Sequence, residues 1–429
     1  MLSIGHRAAV AICVLGLGLS ACGDDAGTGA SGAGGATGGG DEGGQATTGG
    51  GGQGGSSTQG GGGQAEGGSG GVSACEAAIA DAYDGAAFAT NGAVELTLRS
   101  QLGALNGAMR AAEMDLGVTP TAVELQALYE AGDPSLRDVT SAYYDGIVLE
   151  HFERFAAAAG NTWTPADPPV GAGGKYGSYI FSAEGIDMRQ GVEKGSFEAA
   201  FFNHAWSLRE QPFDLVQLDR LLASYGAHPT FPGDSETTDP LVQPNPDRLG
   251  AQYAERRSPK DPADASQPMD PDAPGPYFRV KAAFLAAQAA IALGAECDAE
   301  LDAAIDSIYA EWERVMFATV VYYLNDAYVK LTVDNPTLDQ LAGGLHGFGE
   351  VVGFVHGWKG LPADARTITD AQIDELLETL GAPAEGDVLA YELLTNSATA
   401  APRLLAGIDQ VASVYGFTPQ ELESFETNH

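Results

Sequence analysis

An all-α fold is predicted by three features of this 429-residue chain. Leu301, Ile305, Ile308, Trp312, Val315, Met316, Thr319, Tyr323 and Leu324 recur at spacings of three and four, which marks one face of a helix from about Asp298 to Lys330. Helix-start signals recur as well: Thr121-Ala-Val-Glu124 and Thr369-Asp-Ala-Gln372 are capping boxes, and Thr418-Pro419-Gln-Glu421 places proline at the first helical position. No series of alternating, β-branched strands is present. The class is therefore a helical bundle, with two packed helical subdomains as a further option.

The N-terminus reads as an export signal. Arg7 supplies a positive start, Ala8 to Leu19 form an apolar run of twelve residues, and Leu19-Ser20-Ala21-Cys22 follows at once. Twelve residues are too few to span a bilayer, which takes roughly 20. The lipobox-like tetrapeptide predicts cleavage after residue 21 and lipidation of Cys22, giving a protein held to a bacterial envelope membrane, at the outer membrane or cell surface. An ordinary cleaved signal with an incidental cysteine is the competing reading.

Residues 22–74 form the second region. About half of it is glycine, the rest mostly Ala, Ser, Thr and Gln, so it has little apolar surface to bury and acts as a tether. Some 50 such residues have an expected end-to-end distance of roughly 40 Å.

Residues 75–429 carry the fold. Of the formal net charge of -37, +1 falls on the signal and -5 on the tether, which leaves -33 on this domain. Nucleic acid and anionic headgroups are poor partners on that ground, whereas cations are favoured. Cys75 and Cys297 are its only cysteines, and in an exported protein such a pair predicts a disulfide. Helical patterns also cover about Val94 to Ala112, Asp138 to Ala158, Met188 to Ser207 and Phe278 to Leu293. Two stretches interrupt them: Thr162 to Ser182, rich in proline, glycine and aromatics, reads as a crossing loop. Residues 228–276 read as a proline-rich irregular insert.

Standard catalytic motifs are absent: there is no G-x-S-x-G and no H-E-x-x-H. What remains is the stretch GGLHGFGEVVGFVHGW at 343–358, with six glycines in sixteen positions. Read as a helix, it aligns His346, Glu350, Gly353 and Gly357 in one stripe with Gly349 beside it. Glycine costs about 1 kcal/mol relative to alanine within a helix, so packing has to hold this one. An imidazole and a carboxylate at i and i+4 grip a divalent or ferric ion when further ligands converge; otherwise they form a hydrogen-bonded structural pair. His356, ten residues beyond His346, is a further ligand or an exposed residue. Glu193 and Lys194, and His204 among aromatics, are additional ligand candidates whose alternative is an ion-paired or satisfied core role.

Several segments together resemble the bacterial family called domain of unknown function 4856. They are Gln190-Gly-Val-Glu193-Lys194-Gly195, Tyr253-Ala-Glu-Arg256-Arg257, the helix Phe284 to Ile291, Trp312-Glu313-Arg314-Val315 and Tyr322-Tyr323-Leu324-Asn325. They continue with His346-Gly-Phe-Gly-Glu350 before Gly353-Phe354, then Ile368 to Ile373 and a closing helix to Tyr415-Gly416. The resemblance spans most of Val94 to Phe417 and implies an exported lipoprotein, distantly similar to imelysins, which are two-bundle helical envelope proteins linked to iron acquisition. Imelysins carry G-x-H-x-x-E, whereas here Gly344-Leu-His346 is followed by its glutamate one residue later, at Glu350. The expected function is thus a ligand- or metal-binding envelope lipoprotein serving iron uptake. A metal-dependent hydrolase of imelysin type and a purely structural surface module are the alternatives.

Overall fold

The helix predicted around Trp312 is observed at Asp298–Thr332 and organises the computed structural model, which describes residues 74–231 and 247–429. At 1.5 Å per residue it is about 52 Å long. Its N-terminal part buries one stripe, but from Trp312 to Leu324 it is enclosed on nearly all sides, and Val315, Met316, Phe317, Val320 and Val321 are all inaccessible to solvent or nearly so. The single apolar face expected from the sequence is therefore a central, surrounded helix in this half. Against it pack the glycine-rich helix Leu338–Gly357, the alanine-rich helix Pro276–Leu293 and the C-terminal helix Pro402–Tyr415.

The remaining predicted helices are present at Ala93–Met114, Ala142–Ala158 and Met188–Ser196. The last continues through a wider π-helical turn, Phe197–Phe202, into Asn203–Ser207, so Met188 to Ser207 is not one uniform α-helix. Within that turn the Ala199 carbonyl accepts a hydrogen bond from Ser141 N–H at 2.7 Å. All three predicted capping signals form: the side chains of Thr121, Thr369 and Thr418 each accept from the third helical N–H.

Both irregular stretches contain structure that the sequence reading missed. Gly174–Tyr176 and Tyr179–Phe181 pair as a short antiparallel hairpin inside the crossing loop. The insert holds a helix, Leu249–Arg256, and a second hairpin, Lys260–Asp261 with Asp264–Pro268. Tyr253 and Ala254 bury one face of that helix in the core, which offsets the proline-rich surroundings. Its neighbour Arg257 is buried with its guanidinium 4.0 Å from the Tyr322 ring centroid.

One hydrophobic core runs from Tyr83 to Phe425, and Ala74–His429 is a single unit rather than two subdomains. The motif Trp312-Glu313-Arg314 helps to close it. Glu313 is buried and accepts from Thr367 N–H at 2.6 Å, Ile368 N–H at 2.9 Å and the Tyr415 hydroxyl at 2.7 Å. Arg314 donates to the Tyr415 carbonyl and to Glu421. Cys75 and Cys297 form a disulfide with Cα atoms 6.0 Å apart, joining the start of the domain to the base of the long helix. Among the described residues no helix is long and apolar enough to cross a membrane. The signal, Cys22, the tether up to residue 73 and residues 232–246 of the insert lie outside the described residues.

Candidate functional site

The glycine-rich helix exists because another helix lies against its glycines. A Cβ on Gly353 would sit 2.7 Å from the Gln190 carbonyl oxygen, and one on Gly357 would sit 2.6 Å from that of Gly195. Neither contact leaves room for a methyl group, so Leu338–Gly357 and Met188–Ser196 approach backbone to backbone. Dispersion contacts over that length supply the support that helix propensity withholds. Gly353→Ala is expected to lower stability by about 1–2 kcal/mol, since overpacking against main chain outweighs the gain in helix propensity. Chemical denaturation followed by circular dichroism checks this; an unchanged or raised midpoint would contradict it.

Close approach brings a line of charged side chains into the seam. The Glu113 Oε2 lies 2.8 Å from Arg189 Nε, and Arg189 Nη1 lies 3.3 Å from Glu193 Oε2. Lys194 Nζ stands 3.5 Å from Glu193 Oε1 and 3.9 Å from Glu350 Oε2. Glu350 Oε1 faces His346 Nε2 at 3.3 Å, a Coulombic contact without hydrogen-bond alignment. His346 Nδ1–H donates to Asp187 Oδ2 at 2.8 Å. Signs alternate along the whole series: Glu113, Arg189, Glu193, Lys194, Glu350, His346, Asp187. All seven are buried.

Each sequence feature has a clear local role here. Asp187 caps its helix by accepting from Gln190 N–H at 3.0 Å and so stands where His346 reaches it. Arg189 and Glu193 are one turn apart, as are His346 and Glu350. Tyr179, on the second strand of the first hairpin, stacks flat on the His346 ring with centroids 3.8 Å apart.

Electrostatics decide the protonation state of His346. Burial alone would strip its charge, but the hydrogen bond to Asp187 and the carboxylate of Glu350 outweigh burial and hold it up at about 9. This balance favours the imidazolium at neutral pH. Asp187, despite burial, is held below the usual carboxylate range by His346 and Arg189. Lys194 is kept firmly charged by Glu193 and Glu350 against the opposing effect of burial, and its ammonium also lies 5.5 Å from the Phe197 and Tyr253 ring centroids.

Four of the predicted residues, His346, Glu350, Glu193 and Lys194, thus meet in one seam. The other two do not join it. His204 donates from Nε2 to Glu95 at 2.8 Å beside Arg220, in a separate ion-pair cluster. His356 is buried rather than exposed: it accepts from the Tyr143 hydroxyl at 2.7 Å, and burial pushes it down to about 4. Sequence reasoning missed Glu113, Asp187, Arg189 and Tyr179. A helix-cap signal at Asp187-Met-Arg-Gln190 was available for one of them, and the Arg189/Glu193 spacing for another.

Among the described residues no group of three or more His, Cys, Asp or Glu side chains is placed to hold a metal ion. A surface cleft of about 550 Å³ is lined by Lys359, Asp374, Glu378, Glu385 and Asp387, among others, and none of the seam residues borders it. No protein-family model, curated protein or solved structure matches the chain.

Proposed function

We propose that the protein is a lipid-anchored component of the bacterial cell envelope, at the outer membrane or cell surface, whose helical domain is a non-catalytic structural module. Cys22 carries the lipid and the glycine-rich segment spaces the domain from the headgroups. The observation that carries the structural part is the alternating, buried seam: His346 donates to Asp187, Glu350 stands 3.9 Å from Lys194, and the two carboxylates favour the charged imidazole. The iron-acquisition and hydrolase readings drawn from the resemblance to imelysins both require a neutral imidazole and an open coordination position, and the seam favours neither. The Cys75–Cys297 disulfide supports an exported location.

Fractionation of wild type and Cys22→Ala, with elemental analysis of the wild-type protein purified without chelator, tests this reading. Wild type is expected in membranes, Cys22→Ala in the soluble fraction or stalled before processing, and no iron, zinc or manganese above background. One acyl chain binds only marginally, so loss of lipidation should be decisive. Membrane retention of Cys22→Ala would overturn the anchor. Stoichiometric metal would overturn the structural reading and restore the metal-binding one.

A further inference from the structure

The charge series in the seam has an odd number of members. It begins and ends on an acid, and its two ends come together, because Asp187 and Arg189 start the same helix and Arg189 holds Glu113. Four carboxyl groups therefore share an interior with three cations. The surplus acid is Glu113, which has to share Arg189 with Glu193 and is opposed by the charge of Asp187.

We infer that the seam stores one exchangeable proton on the Glu113 carboxyl, and that this proton links the cohesion of the packed helices to pH in the neutral range. Of these two acids, Asp187 has the stronger claim to the ionised form. It accepts from His346 Nδ1–H and from Gln190 N–H, whereas Glu113 faces one guanidinium and the Ile180 N–H at 3.4 Å. Every element around Glu113 contributes to the balance. Arg189 and Asp187 face it from the Met188 helix and its cap, His346 from the glycine-rich helix, and Tyr179 from the hairpin. Lys175, on the first strand of that hairpin, is partly buried and directs its ammonium to the Glu113 main-chain carbonyl rather than to the carboxyl. Burial raises Glu113 most, Arg189 opposes it, Asp187 reinforces it, and the group comes to rest at about 7. Glu198, a further buried acid in the π-helical turn that follows, is raised well above the ordinary glutamate value by burial.

The sign follows from linkage. Glu113 is easier to protonate in the folded state than in the unfolded chain, so its proton stabilises below the ordinary glutamate value, and that contribution is lost as pH rises through about 7. Glutamine mimics the protonated acid. Glu113→Gln, which cannot ionise in either state, is therefore expected to melt above wild type by a margin that grows by several degrees from about pH 5.5 to about pH 8.5. Taking the difference between the two proteins cancels the contributions of His151 and His356, which burial pushes down to about 3 and about 4. In wild type, infrared spectroscopy should show a protonated-carboxyl C=O band that fades between about pH 6 and pH 8.5, a range in which surface carboxyls are already ionised. The band keeps the inference testable should Glu113→Gln fail to fold. A Glu113→Gln melting difference that is the same at both pH values, or the absence of a fading band, would overturn it.

Discussion

His346→Ala is expected to destabilise the domain by about 3–5 kcal/mol at neutral pH, the range typical for breaking a buried ion pair from one side. The substitution removes the cation that contacts both buried carboxyl groups, Asp187 and Glu350, and takes away the ring on which Tyr179 stacks. The pH dependence has a definite sign. Because the folded protein holds His346 at about 9, above its ordinary value near 6.5, its stabilisation is complete below about pH 6.5 and is lost as pH rises through about 9. Denaturant titrations of wild type and His346→Ala at about pH 7 and pH 10 should therefore differ most at the lower pH. A loss below about 1 kcal/mol at pH 7 would refute the structural role.

Removal of the disulfide is the second large effect. Cys75 and Cys297 are 222 residues apart, and cross-linking so long a loop restricts the unfolded chain strongly. A double Cys75→Ser, Cys297→Ser variant is expected to lose roughly 2–5 kcal/mol. Both sulfurs sit in a small apolar pocket with Ala290 and Leu301, so serine hydroxyls there add to the loss. Equal denaturation midpoints for wild type and the double variant would refute the stabilising role, and peptide mapping without reductant that found two free thiols would refute the bond itself.

The helical class and most helix positions were legible because they depend on local patterns. Spacings of three and four around Trp312 and threonine caps at residues 121, 369 and 418 act within one or two turns, and all of them formed. The insert was misread for the converse reason. Its prolines and acids describe the chain's edges, while Tyr253, Ala254 and Arg257 are buried by partners far away in sequence. His346 and Glu350 were legible as a stripe, but the stripe alone fits metal binding and packing equally well.

What the sequence by itself determined is the all-helical character, the pairing of the two domain cysteines and the presence of a glycine-lined face bearing His346 and Glu350. Each follows from composition or from short-range periodicity. Only the tertiary structure decided what that face does. Asp187 and Glu113 lie 159 and 233 residues from His346, yet they set its charge and the seam's proton balance. Coulomb interactions act through space and strengthen as water is excluded, so the state of the imidazole is fixed by which side chains the packed glycines bring within 3 to 4 Å, and no local pattern contains that information.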